Sequence, residues 1–323
     1  MHMRNVIEEI ERIADDIQST SVDARKISGE IVTRMESLFR NASSFDTNID
    51  TMDQRYQWTE NTSYMWTPDE GEAGYGVVAA TGAVPVDDAV KRELRLYEYM
   101  RPFLREAYAR NPYVDETWYI DKKSLAVGQT YLSLSGALPP GFDAAKVCAS
   151  GITYYDYFGW VDAAQNPERI PRWAPSPFIE LLSCFIQAVH APIYKRVDDP
   201  EMSGFAGVHY NLEWVNAATV DKSKNRIIIV SGGGTLVGAS MDALQAIRME
   251  PFVKQKPSWQ ASQEVRHYVD VERNLEREKP EELAELSRKI RTSESFEHTL
   301  YGRKFSVVRR SVPELDFYVA ALI

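Results

Sequence analysis

Apolar residues recur along the first forty positions in alternating steps of four and three. Positions 6, 10, 13, 17, 20, 24, 27, 31, 34 and 38 hold Val6, Ile10, Ile13, Ile17, Thr20, Ala24, Ile27, Ile31, Arg34 and Leu38. With polar breaks only at Thr20 and Arg34, this is a narrow helical seam at heptad spacing, and it predicts one long helix over residues 4 to about 41. No proline interrupts it, and the internal Gly29 costs only about 1 kcal/mol. At 1.5 Å per residue it would reach roughly 55 Å. Two readings of the seam stay open, and both can hold for different parts of it: a rod linking membrane to distal domain, which can also serve as a homodimer seam, or a helix lying along two stacked domains with its seam packed inside one chain.

The pattern then changes period. Residues 42 to 86 are irregular, with glycines and aromatics among polar residues and a short strand expected at Val77 to Thr81. Asp87 or Asp88 can cap a helix from about Ala89 to Arg110, kinked or split near Pro102. Val114 to Ile120 and Leu125 to Leu132, joined by Asp121-Lys122-Lys123, read as a hairpin. Phe178 to Leu182, Phe185 to Ile193 and Phe205 to Tyr210 read as strands, and Leu212 to Ala218 as the start of a helix. A second series follows: strands Arg226 to Val230 and Thr235 to Ala239, helices of about Ser258 to Leu275 and Pro280 to Ile290, then strands Phe296 to Tyr301, Lys304 to Arg310 and Leu315 to Leu322. Hairpin, helices and three strands thus occur twice.

The aromatic stretch Tyr154 to Asn211 carries a family pattern. It contains Asn166, Pro167 and Arg169; Trp173 five residues before Phe178; Glu180; the strand end Ala191-Pro192-Ile193-Tyr194; and Gly207-Val208 running into an amphipathic helix. In that order and spacing it resembles the extracytoplasmic double-Cache sensor domain of bacterial receptors, and the resemblance extends over nearly the whole chain. It implies an α/β fold: a long N-terminal helix followed by two PAS-like (Cache) domains, each an antiparallel sheet flanked by helices. The expected boundaries are 1–42 for the helix, 43–212 for a membrane-distal ligand-binding domain and 213–323 for a membrane-proximal domain. The implied function is small-molecule sensing outside the cytoplasm, in the periplasm, by an inner-membrane receptor: a histidine kinase, a chemoreceptor or a cyclic-dinucleotide enzyme. A chain that opens in a helix and closes in a strand is then expected to be a fragment cut from between membrane helices.

The resemblance also places the pocket. Its expected lining is Tyr119, Tyr131, Tyr155, Tyr157, Phe158, Trp160, Trp173, Phe178, His209 and Asn211. Family members that bind amino acids are expected to hold the carboxylate with an arginine two residues before the aromatic-segment tryptophan, and the ammonium with an aspartate at the end of the last distal strand. Here Phe158 and Asn211 stand at those positions. A buried ammonium or carboxylate needs partners, so the expected ligand is neutral or singly charged and not an α-amino acid, with Arg169 or Arg172 still able to reach a carboxylate.

Composition narrows the alternatives. The chain has 323 residues, net charge −10 and no basic run or basic helix face, which argues against nucleic acid as a partner. No apolar run approaches the roughly 18 residues of a membrane span. The glycine run Ser231 to Gly234 lacks the Lys-Ser/Thr of a phosphate loop. The five histidines, His2, His190, His209, His267 and His298, form no metal-binding pair, and no nucleophile elbow appears, so neither catalytic residues, metal nor cofactor is expected. His190 and His209 can line the pocket or serve as hydrogen-bonded structural histidines. Cys148 and Cys184 can form a disulfide or remain buried thiols. The competing functions are a protein-interaction or structural module without a small ligand, and a soluble enzyme using the aromatic pocket.

Overall fold

The computed structural model describes residues 2–52, 57–58, 65–66, 70–71, 74–80, 84–123, 125–130, 166–174, 178–179, 185–196, 198–252 and 271–323. The N-terminal helix α1 runs over His2–Arg40. Its buried stripe is Val6, Ile10, Ile13, Ile17, Ser21, Ala24, Ile27, Ile31, Met35 and Leu38. At the two polar breaks the stripe uses the next residue: Ser21 in place of Thr20, and Met35 in place of Arg34. A straight helix of 3.6 residues per turn drifts against a 3.5-residue repeat, so a strict heptad frame falls behind the buried face. Thr20 instead returns its hydroxyl to the Asp16 carbonyl at 2.7 Å. The exposed Arg34 places its guanidinium 4.9 Å from the centre of the Phe103 ring. The stripe is buried within one chain, as the second of the two readings of the seam expects.

The chain forms two compact units. One comprises Met1–Val22, Pro175–Gln187 and Asn211–Ile323; the other comprises Asp23–Ala174 and Ala188–Tyr210. In the second unit the short strands β1 (Gln57–Trp58) and β2 (Met65–Trp66) pair together, followed by β3 (Glu70–Gly71) and β4 (Gly74–Ala80). Helix α2 (Asp88–Tyr97) begins at the Asp87 cap, whose carboxylate accepts from the Val90 amide. A 3-10 turn at Glu98–Met100 separates it from α3 (Arg101–Arg110), so the break expected at Pro102 falls just before it. The hairpin β5 (Val114–Asp121) and β6 (Leu125–Thr130) follows, then β7 (Arg172–Trp173), β9 (Phe185–Ile193) and β10 (Gly204–Asn211), while β8 (Phe178–Ile179) and the first residues of β9 fall in the Pro175–Gln187 segment counted with the first unit. The sheet order is β3-β4-β6-β5-β10-β9-β7, with β8 also on β9.

In the first unit, α4 (Leu212–Ala218) leads into β11 (Ile227–Ser231) and β12 (Leu236–Ala239). Helices α5 (Met241–Ile247) and α6 (Glu281–Thr292) precede β13 (Ser295–Leu300), β14 (Arg303–Val312) and β15 (Phe317–Leu322). Helix α5 was not expected from the sequence. The helix expected over Ser258 to Leu275 lies mostly outside the described residues. Of its described residues, Val271 and Glu272 are helical, but Asn274 bridges Thr235 and the Leu275 amide bonds the Gly234 carbonyl at 2.9 Å, so the helix ends before Asn274.

The five-stranded sheet has the order β12-β11-β15-β14-β13. Counted from its own hairpin, that is second, first, fifth, fourth, third. The core of the other sheet, β6-β5-β10-β9-β7, reads the same way. The fold is therefore a long N-terminal helix followed by two sheet-plus-helix units of one strand order, consistent with tandem PAS-like domains.

Each unit has an α1-facing side of its sheet. In the five-stranded sheet that side carries Arg310, paired with Glu11 at 3.0 Å. Nearby, the Asn225 amide reaches Glu9 at 2.6 Å. The opposite side is apolar and filled: Ile228, Val230, Phe305, Val307, Ala320 and Leu322 form one cluster with Ala243, Leu244 and Ile247 of α5 and Leu283, Leu286 and Ile290 of α6. In the other unit the α1-facing side carries Tyr119, whose ring lies 6.0 Å from that of Phe39 on α1.

Candidate functional site

The second unit uses the side of its sheet opposite α1 differently. Successive strand residues alternate faces. In β5 this puts Thr117, Tyr119 and Asp121 toward the helices and Glu116, Trp118 and Ile120 on the other side. In β10, Phe205, Gly207 and His209 stand opposite Ile120, Trp118 and Glu116. His190 of β9 stands opposite Arg172 of β7. Its ring lies 5.4 Å from Trp118, 6.0 Å from Phe205 and 6.3 Å from His209, centre to centre. One face thus gathers a carboxylate, two imidazoles and an indole, with a guanidinium on the neighbouring strand.

The bonding inside this group is directional. Trp118 Nε1–H donates to His209 Nε2 at 3.3 Å. His209 Nδ1 lies 2.9 Å from Glu116 Oε2. A ring nitrogen that accepts a hydrogen bond carries no proton, so the proton sits on Nδ1, the nitrogen on the carboxylate's side of the ring. Trp118 reaches His209 because β10 has a glycine under the indole: a Cβ on Gly207 would lie 2.2 Å from the Trp118 ring. His190 is fully buried. Burial first, and then the nearby second imidazole of His209, hold its pKa well below the usual histidine value.

The other face is structural. Tyr97 donates to Asp121 Oδ2 at 2.9 Å, while Asp121 Oδ1 accepts from the Lys123 and Leu125 amides at 2.8 and 2.9 Å. Burial raises the Asp121 carboxyl to about 6, against the hydrogen bonds it accepts. Burial would also raise Glu93, but its ion pairs with Lys123 and Lys195 outweigh that and hold it below the usual value.

The expected lining residues divide accordingly. His209 belongs to the polar face. Tyr119 lies on the opposite face, its ring edge-on to Tyr97 at 5.2 Å. Trp173, opposite Val189 and not His190, also turns away from His209 and meets Tyr210 at 6.1 Å. Asn211 caps α4, its Oδ1 accepting from the Trp214 amide at 3.0 Å. Phe178 is described only as part of β8. Tyr131, Tyr155, Tyr157, Phe158 and Trp160 lie outside the described residues, as do Cys148 and Cys184. Glu116 and Trp118, which share the face of His209, were not among the expected lining residues. Their signal was the spacing Glu116, Trp118 in one strand against Gly207, His209 in its partner.

Among the described residues, no group of three or more His, Cys, Asp or Glu side chains is arranged to hold a metal ion. No described helix is long and apolar enough to cross a membrane.

No protein-family profile matches this chain, and no curated protein does. Solved structures do resemble it in arrangement. The extracellular domain of the histidine kinase mmHK1S-Z3 aligns over 100% of this chain and 93% of its own, at 14% identity and TM-score 0.48. The ligand-binding domain of the Pseudomonas aeruginosa PAO1 amino acid chemoreceptor PctC, in complex with GABA, aligns over 100% of both chains at 13% identity and TM-score 0.45. The sensory domain of the Campylobacter jejuni chemoreceptor Tlp3, with isoleucine bound, aligns over 98% of this chain and 93% of its own, at 9% identity and TM-score 0.43.

The Tlp3 domain is the one with isoleucine bound and the PctC domain the one with GABA, and the expectation that an amino acid is not the ligand is corrected accordingly. The structure gives the physical reason. That expectation rested on missing charges at Phe158 and Asn211, yet the sheet face carries charge elsewhere, Glu116 on β5 and Arg172 on β7. Charge absent from two positions does not make a face apolar.

Proposed function

We propose that this chain is the extracytoplasmic small-molecule-sensing region of a bacterial membrane receptor, and that its ligand is taken on the face that carries Trp118, His190 and His209. One observation carries the reading. Two sheets of one strand order occur in the chain, and the side opposite α1 is filled with aliphatic side chains from α5 and α6 in one unit. In the other unit that side bears Glu116, His190, His209 and Trp118. Placing titratable groups in a buried sheet face costs stability, and recognition of a polar ligand is the function that such groups serve. The acceptable ligands include amino acids: Glu116 can face an ammonium and Arg172 a carboxylate.

The test is a thermal-shift screen of the chain with amino acids, amines, carboxylates and neutral metabolites. A ligand at 100 times its Kd stabilises the folded state by about 2.7 kcal/mol. The reading expects a stabilising compound whose effect is lost in His190→Phe, with the variant's own melting temperature showing that it folds. A compound that stabilises the wild type and His190→Phe equally would place the site elsewhere. A protein partner that stabilises the chain where no compound does would favour the interaction module.

A further inference from the structure

We propose that Trp118 is the positioning residue of this face: by donating to Nε2 it holds His209 as the neutral, Nδ1-protonated tautomer, so that a ligand meets a carboxylate and two uncharged imidazoles rather than an imidazolium. Two opposed influences act on His209. The Glu116 carboxylate, 2.9 Å from Nδ1, favours a charged ring. The Trp118 N–H, 3.3 Å from Nε2, opposes it, because a proton added to Nε2 would face another N–H and the hydrogen bond would be lost. Burial of His209 acts in the same direction as Trp118. Among the described residues, the charged and titratable groups on this face are Glu116 from β5, His190 from β9 and Arg172 from β7 opposite His190.

Register makes Trp118 a positioning device rather than packing alone. Trp118 stands opposite Gly207, not His209. The indole crosses the bare Gly207 to reach the histidine one pleat further along β10, and it meets Phe205 edge-on at 5.4 Å on its other side. The ring is therefore held in the orientation that aims Nε1 at His209. Its importance for ligand recognition rests on the sensing reading above; the tautomer itself does not.

The experiment uses long-range proton–nitrogen NMR correlation on the 15N-labelled chain, which reports which nitrogen of each imidazole is protonated. His209 is assigned by the pattern that disappears in His209→Asn. At about pH 7.5, above the ordinary histidine pKa, wild-type His209 should show a protonated Nδ1 and a bare Nε2. Trp118→Phe keeps a ring over Gly207 but removes the donor, and should raise the His209 titration midpoint by roughly one pH unit. Glu116→Gln should lower it. A wild-type spectrum with a protonated Nε2 at that pH overturns the proposal, as does a folded Trp118→Phe with an unchanged midpoint. If Trp118→Phe does not fold, the wild-type tautomer decides. No ligand is needed, so failure here leaves the sensing reading standing, and failure of the ligand screen leaves the tautomer standing.

Discussion

Trp118 and His209 are diagonal neighbours, not facing ones: Nε1 of the indole lies 3.3 Å from Nε2 of the imidazole although the register sets Trp118 opposite Gly207. The glycine is what permits the diagonal. Gly207→Val puts a branched side chain where a Cβ alone would come within 2.2 Å of the indole. The expected cost is about 1–3 kcal/mol from overpacking. Trp118→Ala should relieve much of that cost, so a double-mutant cycle by urea unfolding should show strong coupling between positions 118 and 207. Additive costs would mean that the indole does not lie over Gly207.

Asp121 makes stability pH-dependent, and the sign follows from its shift. Burial raises its carboxyl from 3.8 to about 6 in the folded chain. The folded state then binds the proton more tightly than the unfolded state. The stability this contributes is fully present below about pH 4 and is lost as pH rises through about 6, on the order of 3 kcal/mol in all. Asp121→Asn keeps an acceptor for the Lys123 and Leu125 amides, while its NH2 requires the Tyr97 hydroxyl, which donates to Asp121 in the wild type, to turn and accept. It should flatten this part of the pH profile and be relatively more stable than wild type at neutral pH. Urea midpoints measured from about pH 4 to 8 check this, and parallel profiles for the two proteins would count against it.

Much of this fold was legible in the sequence because its elements are long or strictly periodic. The four-three spacing of α1, the alternation in β5 and β6, and the β-branched run Ile227 to Val230 each identify their element. Where the structure differs, the causes are physical. Helix α5 is only seven residues, two turns with little room for a periodic pattern, and Ser240 before it gives no side-chain cap bond. Tyr119 was expected to line the pocket, whereas its ring meets Tyr97 on the α1-facing side; in a strand, a shift of one residue exchanges faces, and only the partner register decides. Asn211 was read as a substitute for a ligand-binding aspartate, when its place at the start of α4 gives it a capping role that Asn and Asp share.

That capping role separates Asn211 from the ligand. Asn211→Ala should cost about 1 kcal/mol of stability, and Asn211→Asp much less, since both side chains cap. Neither should change the affinity for a stabilising compound by more than several-fold. A large affinity loss in Asn211→Asp with unchanged stability would return Asn211 to the site.

The drift of the α1 stripe predicts unequal neighbours. Met35 is fully buried, while Arg34 is exposed over the Phe103 ring. Met35→Ala should cost about 2–5 kcal/mol. Arg34→Leu should stay within about 0.5 kcal/mol of wild type. Chemical denaturation of the two variants distinguishes this buried stripe from a strict heptad seam, which would make position 34 the sensitive one.

The most direct test of the sensing reading is a crystal structure of the chain with the compound that stabilises it most. The ligand should lie against Trp118, His190 and His209, with its polar groups toward Glu116 or Arg172. Ligand density confined to the residues after 213, or to the α1-facing side of the sheet at Tyr119, would contradict it.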